Sequence, residues 1–343
     1  MENGNFFTNT EFNQKPHRDF GIWTYGQSLN DDNINEPEYV SNKTLKKLAE
    51  ADVYFIYGLT ENKLESKLVK NLNRCKEYGI EVHLSINPIK YAYTNIWTFE
   101  SFKDEVEEVL DYLQDHDFLN NTITTLVYDM EAPPKNAFPH YGLNIKNVNK
   151  LNEYYEVQEE FQKFNNYIQK EYDLKIRITT DFSQGLDLKD NDIDLSTFSG
   201  LMFDDEADMA YMIYRRNTFG RNQLLDAFRV LNDGDIIILN AWRDIGSLCW
   251  KNLKCALKDV QLVLGYSEKS FRLEIWDLAN FIYSYGEKGL IDLVEAIQKD
   301  TSEWSKIEVW NIFPYNFYWD TIFFGMICLD MFGPTLRIVF RIF

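Results

Sequence analysis

Short apolar runs rich in β-branched and aromatic residues alternate along this chain with longer stretches whose apolar residues recur every three or four positions. The first kind predicts buried strands and the second predicts amphipathic helices packed by one face. Asp19–Gly26 (DFGIWTYG) predicts a first strand, with Ser41–Ala51 as its helix. Asp52–Thr60 and Leu64–Gly79 form a second pair, and Gly79 sits where a helix C-cap glycine belongs. Ile80–Pro88 is a third strand, followed by an acidic helix over Phe99–Asp115. Thr124–Pro133 is a fourth, with a long helix near Asn149–Tyr172. Lys175–Ser183 is a fifth strand with a weakly marked return helix. Gly200–Asp205 (GLMFDD) is expected as the sixth strand, with helix Arg221–Leu231. Asp235–Arg243 and Leu253–Leu264 are the seventh pair, and Phe271–Leu278 and Gly289–Lys299 the eighth.

Eight strand–helix units in about 280 residues match the size and order of an α/β fold of the (β/α)8, or TIM, barrel type. A doubly wound open sheet is the alternative. It rarely needs eight units, and no glycine-rich phosphate loop follows the first strand, where Gly26-Gln27-Ser28 leads into Asn30-Asp31-Asp32-Asn33. No linker divides the chain, so the expected organisation is a polar extension (1–18), one barrel (19–300), a connector (301–314) and a hydrophobic tail (315–343).

In such a barrel the C-terminal strand ends line one mouth, where active sites lie. Here those ends carry Tyr25, Tyr57, Asn87, Asp129, Glu131, Asp181, Asp204, Asp205, Asn240, Arg243, Trp276 and Asp277, and the N-terminal ends are expected to carry no comparable set. The densest signal is TTLVYDMEAP, Thr124–Pro133. Its apolar start delivers Asp129 and Glu131 at the strand's end before Pro133-Pro134 stop it. Residues two apart on a strand share a face, and two like charges held that close raise the pKa of one of them. A general acid working near neutral pH needs such a value. The plain alternative for an isolated D-x-E is a solvated strand end or a capping cluster. Aromatics are 16% of the chain, with 8 Trp and 21 Tyr; many must be core, so composition supports a sugar site only weakly.

These strand ends resemble those of family 18 glycoside hydrolases, the chitinase-like barrels. That family ends its fourth strand in D-x-x-D-x-D-x-E, whose last acidic pair Asp129-Met130-Glu131 matches, while Thr124 and Val127 occupy the region of the earlier acids. Its third-strand S-x-G-G is met by the serine of Leu84-Ser85-Ile86-Asn87, which departs at the glycines. Its sixth-strand M-x-Y-D is met by Leu201-Met202-Phe203-Asp204, with no hydroxyl on Phe203, and its pocket-floor tryptophan by Trp276. D-x-E on a fourth strand also occurs in lysozyme-like family 25 barrels. The resemblance implies a glycosidase-like barrel acting on a glycan or polysaccharide. It gives Glu131 the role of general acid, has Asp129 orient a substrate amide or tune Glu131, and sets Asp204 near the reacting sugar. Tyr25, Asn87, Asp181, Asp205, Asn240, Arg243, Trp276 and Asp277 would bind substrate. If the sugar lacks a 2-acetamido group, a second carboxylate among Asp181, Asp204 and Asp205 must act, and its distance from Glu131 decides between retention and inversion. A glycan-binding barrel without cleavage and a sensor ectodomain without sugar chemistry remain alternatives.

Other chemistries fit poorly. Of His17, His83, His116 and His140 none has metal-ligand spacing, and His83 lies mid-strand as a core histidine would. No metal and no cofactor is expected. A Ca²⁺ or Mg²⁺ cluster around Asp204-Asp205-Glu206 with Asp208 is weaker than the reading of that run as a mouth loop, with Asp208 capping a helix begun by Met209-Ala210-Tyr211-Met212. A net charge of −19 excludes nucleic acid as a partner. Cys75, Cys249, Cys255 and Cys328 impose no disulfide framework on a chain this large.

Met1–Lys15 lacks the basic start and apolar run of a signal peptide. Tyr315–Phe343 opens with aromatics, continues apolar and ends with Arg337 and Arg341, the grammar of a membrane span, although Asp330 interrupts it. That pattern predicts a membrane-associated protein with the barrel outside the cell, and a fragment of a longer membrane protein. The alternatives are a cytoplasmic protein and a tail that seals the barrel's bottom.

Overall fold

The computed structural model describes residues 19–59, 66–87, 93–131, 151–181, 184–190, 194–213, 222–241, 250, 252–265, 269–299, 324–328 and 331–332. Eight parallel strands close into a barrel in chain order. They are β1 Phe20–Thr24, β2 Val53–Leu59, β3 Val82–Ile86, β4 Ile123–Asp129, β5 Lys175–Asp181, β6 Asp208–Met212, β7 Ile236–Asn240 and β8 Arg272–Trp276. β1 pairs with both β2 and β8, which closes the ring. The helices are α1 Asn42–Glu50, α2 Ser66–Tyr78, α3 Phe99–Asp115, α4 Leu151–Tyr172, α5 Gln184–Asp190, α6 Asp194–Ser199, α7 Asn222–Val230, α8 Leu253–Gly265 and α9 Leu278–Ile297. Local chemistry sets their ends. Ser41 accepts from the Thr44 amide at the start of α1, and Gly79, at φ 71°, follows α2 in the left-handed conformation.

Strand residues are buried on both faces, so the strands read as nearly unbroken apolar runs. One alternating set, including Phe20, Ile22, Phe55, Leu84, Tyr128, Ile178, Tyr211 and Ile275, packs outward against the helices in the large core. Phe99 and Phe161 join it, the Tyr128 and Phe161 rings meeting at 5.0 Å. The other set, Trp23, Tyr54, Ile56, Val127, Ala210, Ile236 and Ile238, forms a second core inside the barrel, with Met212 and Trp276 packed on it.

The sixth strand lies elsewhere than expected. Gly200–Asp205 is irregular, and its apolar residues are buried by other means than sheet pairing. The Tyr154 hydroxyl donates to the Leu201 carbonyl (2.7 Å), Gln184 Nε2 to the Met202 carbonyl (2.8 Å), and the Met202 amide to Met130 Sδ (3.2 Å). The sheet instead takes Asp208–Met212, paired with β5 from Arg177↔Asp208 to Asp181↔Met212 and with β7 from Ala210↔Ile236. Met209 and Tyr211 face outward while Ala210 faces in, a period of two where a helix was expected. Asp208 therefore opens a strand and caps no helix.

Among the described residues no helix is long and apolar enough to cross a membrane. Most of Tyr315–Phe343 lies outside the described residues, as does the segment 1–18. Residues 324–328 and 331–332 are helical. Within them Met326 is 2% exposed and belongs to the large core, whereas Phe324, Met331 and Phe332 are exposed.

Candidate active site at the C-terminal mouth

β4 delivers the acidic pair. Asp129 closes the strand in register with Thr179 of β5 and is 8% exposed. The segment after β3 docks on this end and extends the pairing: the Thr94 amide donates to the Asp129 carbonyl (2.9 Å), and Asn95 Nδ2 to the Glu131 carbonyl (3.2 Å). The Met130 amide donates to the Thr179 carbonyl (2.7 Å) from the other side. Residues 129–131 are thus clamped between two neighbours, with Glu131 partly buried just beyond the strand. Across the mouth, Trp276 at the end of β8 donates its Nε1–H to the Tyr25 hydroxyl (2.9 Å). The Tyr25 ring lies directly over Gly58, where a Cβ would sit 2.4 Å from Cε1. The Trp276–Asp277 peptide is cis.

Burial sets the electrostatics. Desolvation pushes the Asp129 carboxyl up to about 7. Burial, then the charge of Asp129, push the Tyr25 phenol above its ordinary range. Tyr93, on the docked segment, is pushed up by the charge of Glu131 first, then by burial and Asp129. These groups share one electrostatic neighbourhood. Asp129 is the deeper member of the acidic pair, and burial raises its carboxyl.

The remaining expected residues divide. Asn87 follows β3, its amide donating to the Leu59 carbonyl (3.2 Å), and its buried Oδ1 has no partner among the described residues. Asn240, 4% exposed, closes β7 in register with Trp276. Asp181 is the last residue of β5. Asp277 is a helix cap: its carboxylate accepts from the Asn280 amide and from Asn280 Nδ2, both at 2.9 Å. Tyr57 faces the helix layer, where its hydroxyl accepts from Asn71 Nδ2 (3.0 Å). Asp204 and Asp205 end no strand, because their segment leads into β6 at the end opposite the mouth. Asp204 accepts from Asn165 Nδ2 of α4 (2.8 Å) in the helix layer, and Asp205 is exposed. Arg243 lies outside the described residues. Among the described residues no group of three or more His, Cys, Asp or Glu is placed to hold a metal.

A second polar cluster, inside the lower half of the barrel, was not anticipated. Glu274 of β8, fully buried, accepts from Trp23 Nε1 (2.9 Å), the Tyr54 hydroxyl (2.8 Å) and Arg177 Nη1 (2.5 Å). Arg177 Nη1 also donates to His83 Nδ1 (2.9 Å), which leaves Nε2–H to donate to Glu81 (3.1 Å), and Tyr54 stacks on the His83 ring at 4.2 Å. Asp208 pairs with Arg272 (2.9 Å) and Arg177 (3.5 Å). Burial, then Arg177, depress His83 to about 4, so it is neutral. The expectation that the lower strand ends carry no charged set is thereby corrected. The signal in the sequence was polar residues at alternate, inward positions of otherwise apolar strands. On their strands Ile56, Val127, Ala210 and Ile238 come between this cluster and the mouth.

No protein-family model matches the chain. No curated protein matches it either. Among solved structures it is similar to a D-psicose 3-epimerase crystallised with D-fructose (13% identity over 82% of this chain and 100% of that one, TM-score 0.44). It is also similar to a β-mannanase from the blue mussel Mytilus edulis (11%, 83% and 92%, TM-score 0.47) and to a family 18 chitinase from Pseudoalteromonas aurantia (9%, 80% and 99%, TM-score 0.44). Likenesses at this level assign no chemistry. The barrel rests on its own strand pairing.

Proposed function

We propose that the C-terminal mouth acts on a carbohydrate as a glycoside hydrolase, with Glu131 as general acid and Asp129 as its supporting carboxyl. The observation that carries the reading is the buried Asp129, raised to about 7 beside Glu131 and facing the Tyr25–Trp276 pair. A carboxyl pair with one raised member holds a proton at neutral pH. Glu131, the more open member, takes up that proton and passes it to the glycosidic oxygen as the C–O bond breaks, and the water that completes the hydrolysis returns a proton to the pair. Trp276 and Tyr25 supply an aromatic face for a pyranose ring. Water completes the hydrolysis after attack at the anomeric carbon by the substrate's own 2-acetamido oxygen or by a second carboxylate. With Asp204 and Asp205 away from the mouth and Asp277 engaged as a cap, Asp181 is the candidate for that second role.

The same thinning of mouth carboxylates favours a second reading, a barrel that binds a glycan without cleaving it. Hydrolysis of a panel of β-linked glycans by wild type, Glu131→Gln and Asp129→Asn separates the two. The first reading expects turnover reduced ~10²–10⁴-fold in Glu131→Gln. Equal turnover in that variant removes the acid role; binding without cleavage by the wild type selects the second reading. A membrane-contacting role for residues 315–343 belongs to the proposal through the exposed Phe324, Met331 and Phe332. Cosedimentation of the full chain with anionic vesicles, weakened by changing these three to serine, is its test.

A further inference from the structure

Tyr25 and Trp276 stand on the inward face of the mouth. Tyr25 follows β1 two residues beyond Trp23, and Trp276 ends β8 two residues beyond Glu274, both of which point into the barrel. The two side chains meet through one hydrogen bond, from Trp276 Nε1–H to the Tyr25 hydroxyl at 2.9 Å. An indole nitrogen can only donate, so the phenol oxygen is the acceptor and its own hydrogen must point elsewhere. Among the described residues nothing accepts that hydrogen. The ring is seated on the bare backbone of β2 at Gly58, where even a methyl group would overlap it. Seat and indole together fix the ring and the free side of its hydroxyl. Both side chains are partly exposed, so water could serve the indole and a phenylalanine would cover Gly58 equally well. Packing accounts for the ring and not for the hydroxyl.

We propose that the Tyr25 hydroxyl is a ligand-binding, specificity-determining group: held as an acceptor by Trp276, it presents its O–H to an acceptor oxygen of a neutral sugar lying on the aromatic wall. The inference rests on the reading of the mouth as a carbohydrate site and names the contact that orients the sugar there. A hydroxyl, ring or amide oxygen satisfies this donor, whereas a bare C–H edge leaves it unpaired once water is displaced. Donation by the phenol polarises its oxygen and strengthens its hold on the indole N–H. The two bonds therefore reinforce each other, and the sugar's orientation is tied to the tryptophan on which it stacks. A ligand between β1 and β4 has this donor on one side and the acidic pair Asp129 and Glu131 on the other.

The test is a binding measurement on the full chain carrying Glu131→Gln, so that no cleavage intervenes. The protein, with ¹⁵N-labelled indoles, is titrated with chitotriose, mannotriose and cellotriose, and the Trp276 N–H signal is assigned by its loss in Trp276→Phe. A bound sugar should move that signal downfield. Tyr25→Phe should weaken binding of the same sugar, measured by calorimetry, about 3–10-fold, the worth of one neutral hydrogen bond. Placing 3-fluorotyrosine at position 25, a more acidic phenol and a stronger donor, should tighten it. A hydroxyl that serves only the indole would give no such gain, because fluorination makes the phenol oxygen a poorer acceptor. That substitution changes one ring hydrogen and carries the test even if Tyr25→Phe disturbs the wall. A trisaccharide that moves the Trp276 signal, yet binds Tyr25→Phe as tightly as the parent or the fluorotyrosine protein no more tightly, overturns the inference and leaves the carbohydrate site standing. If none of the three binds, the carbohydrate reading falls and the inference falls with it.

Discussion

Arg177 and Glu274 meet inside the barrel at 2.5 Å although their strands, β5 and β8, are not neighbours in the sheet. The pair is 3% and 0% exposed and is satisfied further by Trp23, Tyr54 and His83. β1 must be bare at this level, since a Cβ on Gly21 would sit 2.3 Å from the Tyr54 ring and 2.9 Å from Glu274. Breaking one half of such a pair leaves a buried charge alone, at a cost of about 3–5 kcal/mol. Arg177→Met and Glu274→Leu should each lose roughly that much in denaturant unfolding. The double variant should regain most of it, because apolar residues of similar volume replace a buried pair at little net cost. Single variants within ~1 kcal/mol of wild type would show that water reaches the cluster.

Two buried groups should push stability in opposite directions over one pH range. Asp129 is raised to about 7 from the ordinary aspartate value near 4. Its contribution is fully present below that ordinary value and is lost as pH rises through 7. His83 is depressed to about 4. Its contribution is present above the ordinary histidine value and is lost as pH falls through 4. Asp129→Asn should therefore gain on wild type as pH rises from 4 to 8, by as much as about 4 kcal/mol. His83→Gln should gain as pH falls over the same range. Thermal unfolding of the three proteins at several pH values is the check. Parallel curves would show that neither group titrates within the fold.

The strand periods and the breaks between them carried the barrel in the sequence, because a strand buried on both faces leaves a dense apolar run. Those same runs misled at Gly200–Asp205, where Leu201 and Met202 are buried under α4 and α5 rather than in the sheet. With that strand misplaced by eight residues at its start, Asp204 and Asp205 were carried to the wrong side. Asp129 and Trp276 were legible because each ends a well-marked strand. Tyr93 was not, since its position follows from a loop docking on β4. Nor was the capping role of Asp277, which depends on where α9 begins.

Met326 tests whether the tail belongs to the barrel. It is 2% exposed within the large core, while Phe324, two residues earlier on the opposite helix face, is exposed. Met→Ala at a buried site costs about 2–5 kcal/mol, and an exposed Phe→Ser costs little. Met326→Ala should lower the unfolding midpoint of the full chain, and Phe324→Ser should leave it in place. Equal, negligible effects would mean that the tail contributes nothing to the core.

Gly58 couples the sheet to the mouth. A methyl group there would press on the Tyr25 ring at 2.4 Å from Cε1, and the ring has little freedom to yield because its hydroxyl is held by Trp276 Nε1. Gly58→Ala should therefore push Tyr25 away and break the 2.9 Å hydrogen bond. An upfield move of the Trp276 indole N–H resonance reports that break without any substrate. Tyr25→Phe should produce a similar move while leaving the ring in place, which separates loss of the acceptor from displacement of the ring. If the mouth acts on sugars as proposed, displacement should cost more than the missing hydroxyl, since an active-site group displaced by about 1 Å can cost ~10²-fold in rate. An indole resonance unmoved in Gly58→Ala would mean that β2 gives way instead, and that the tyrosine does not depend on the glycine beneath it.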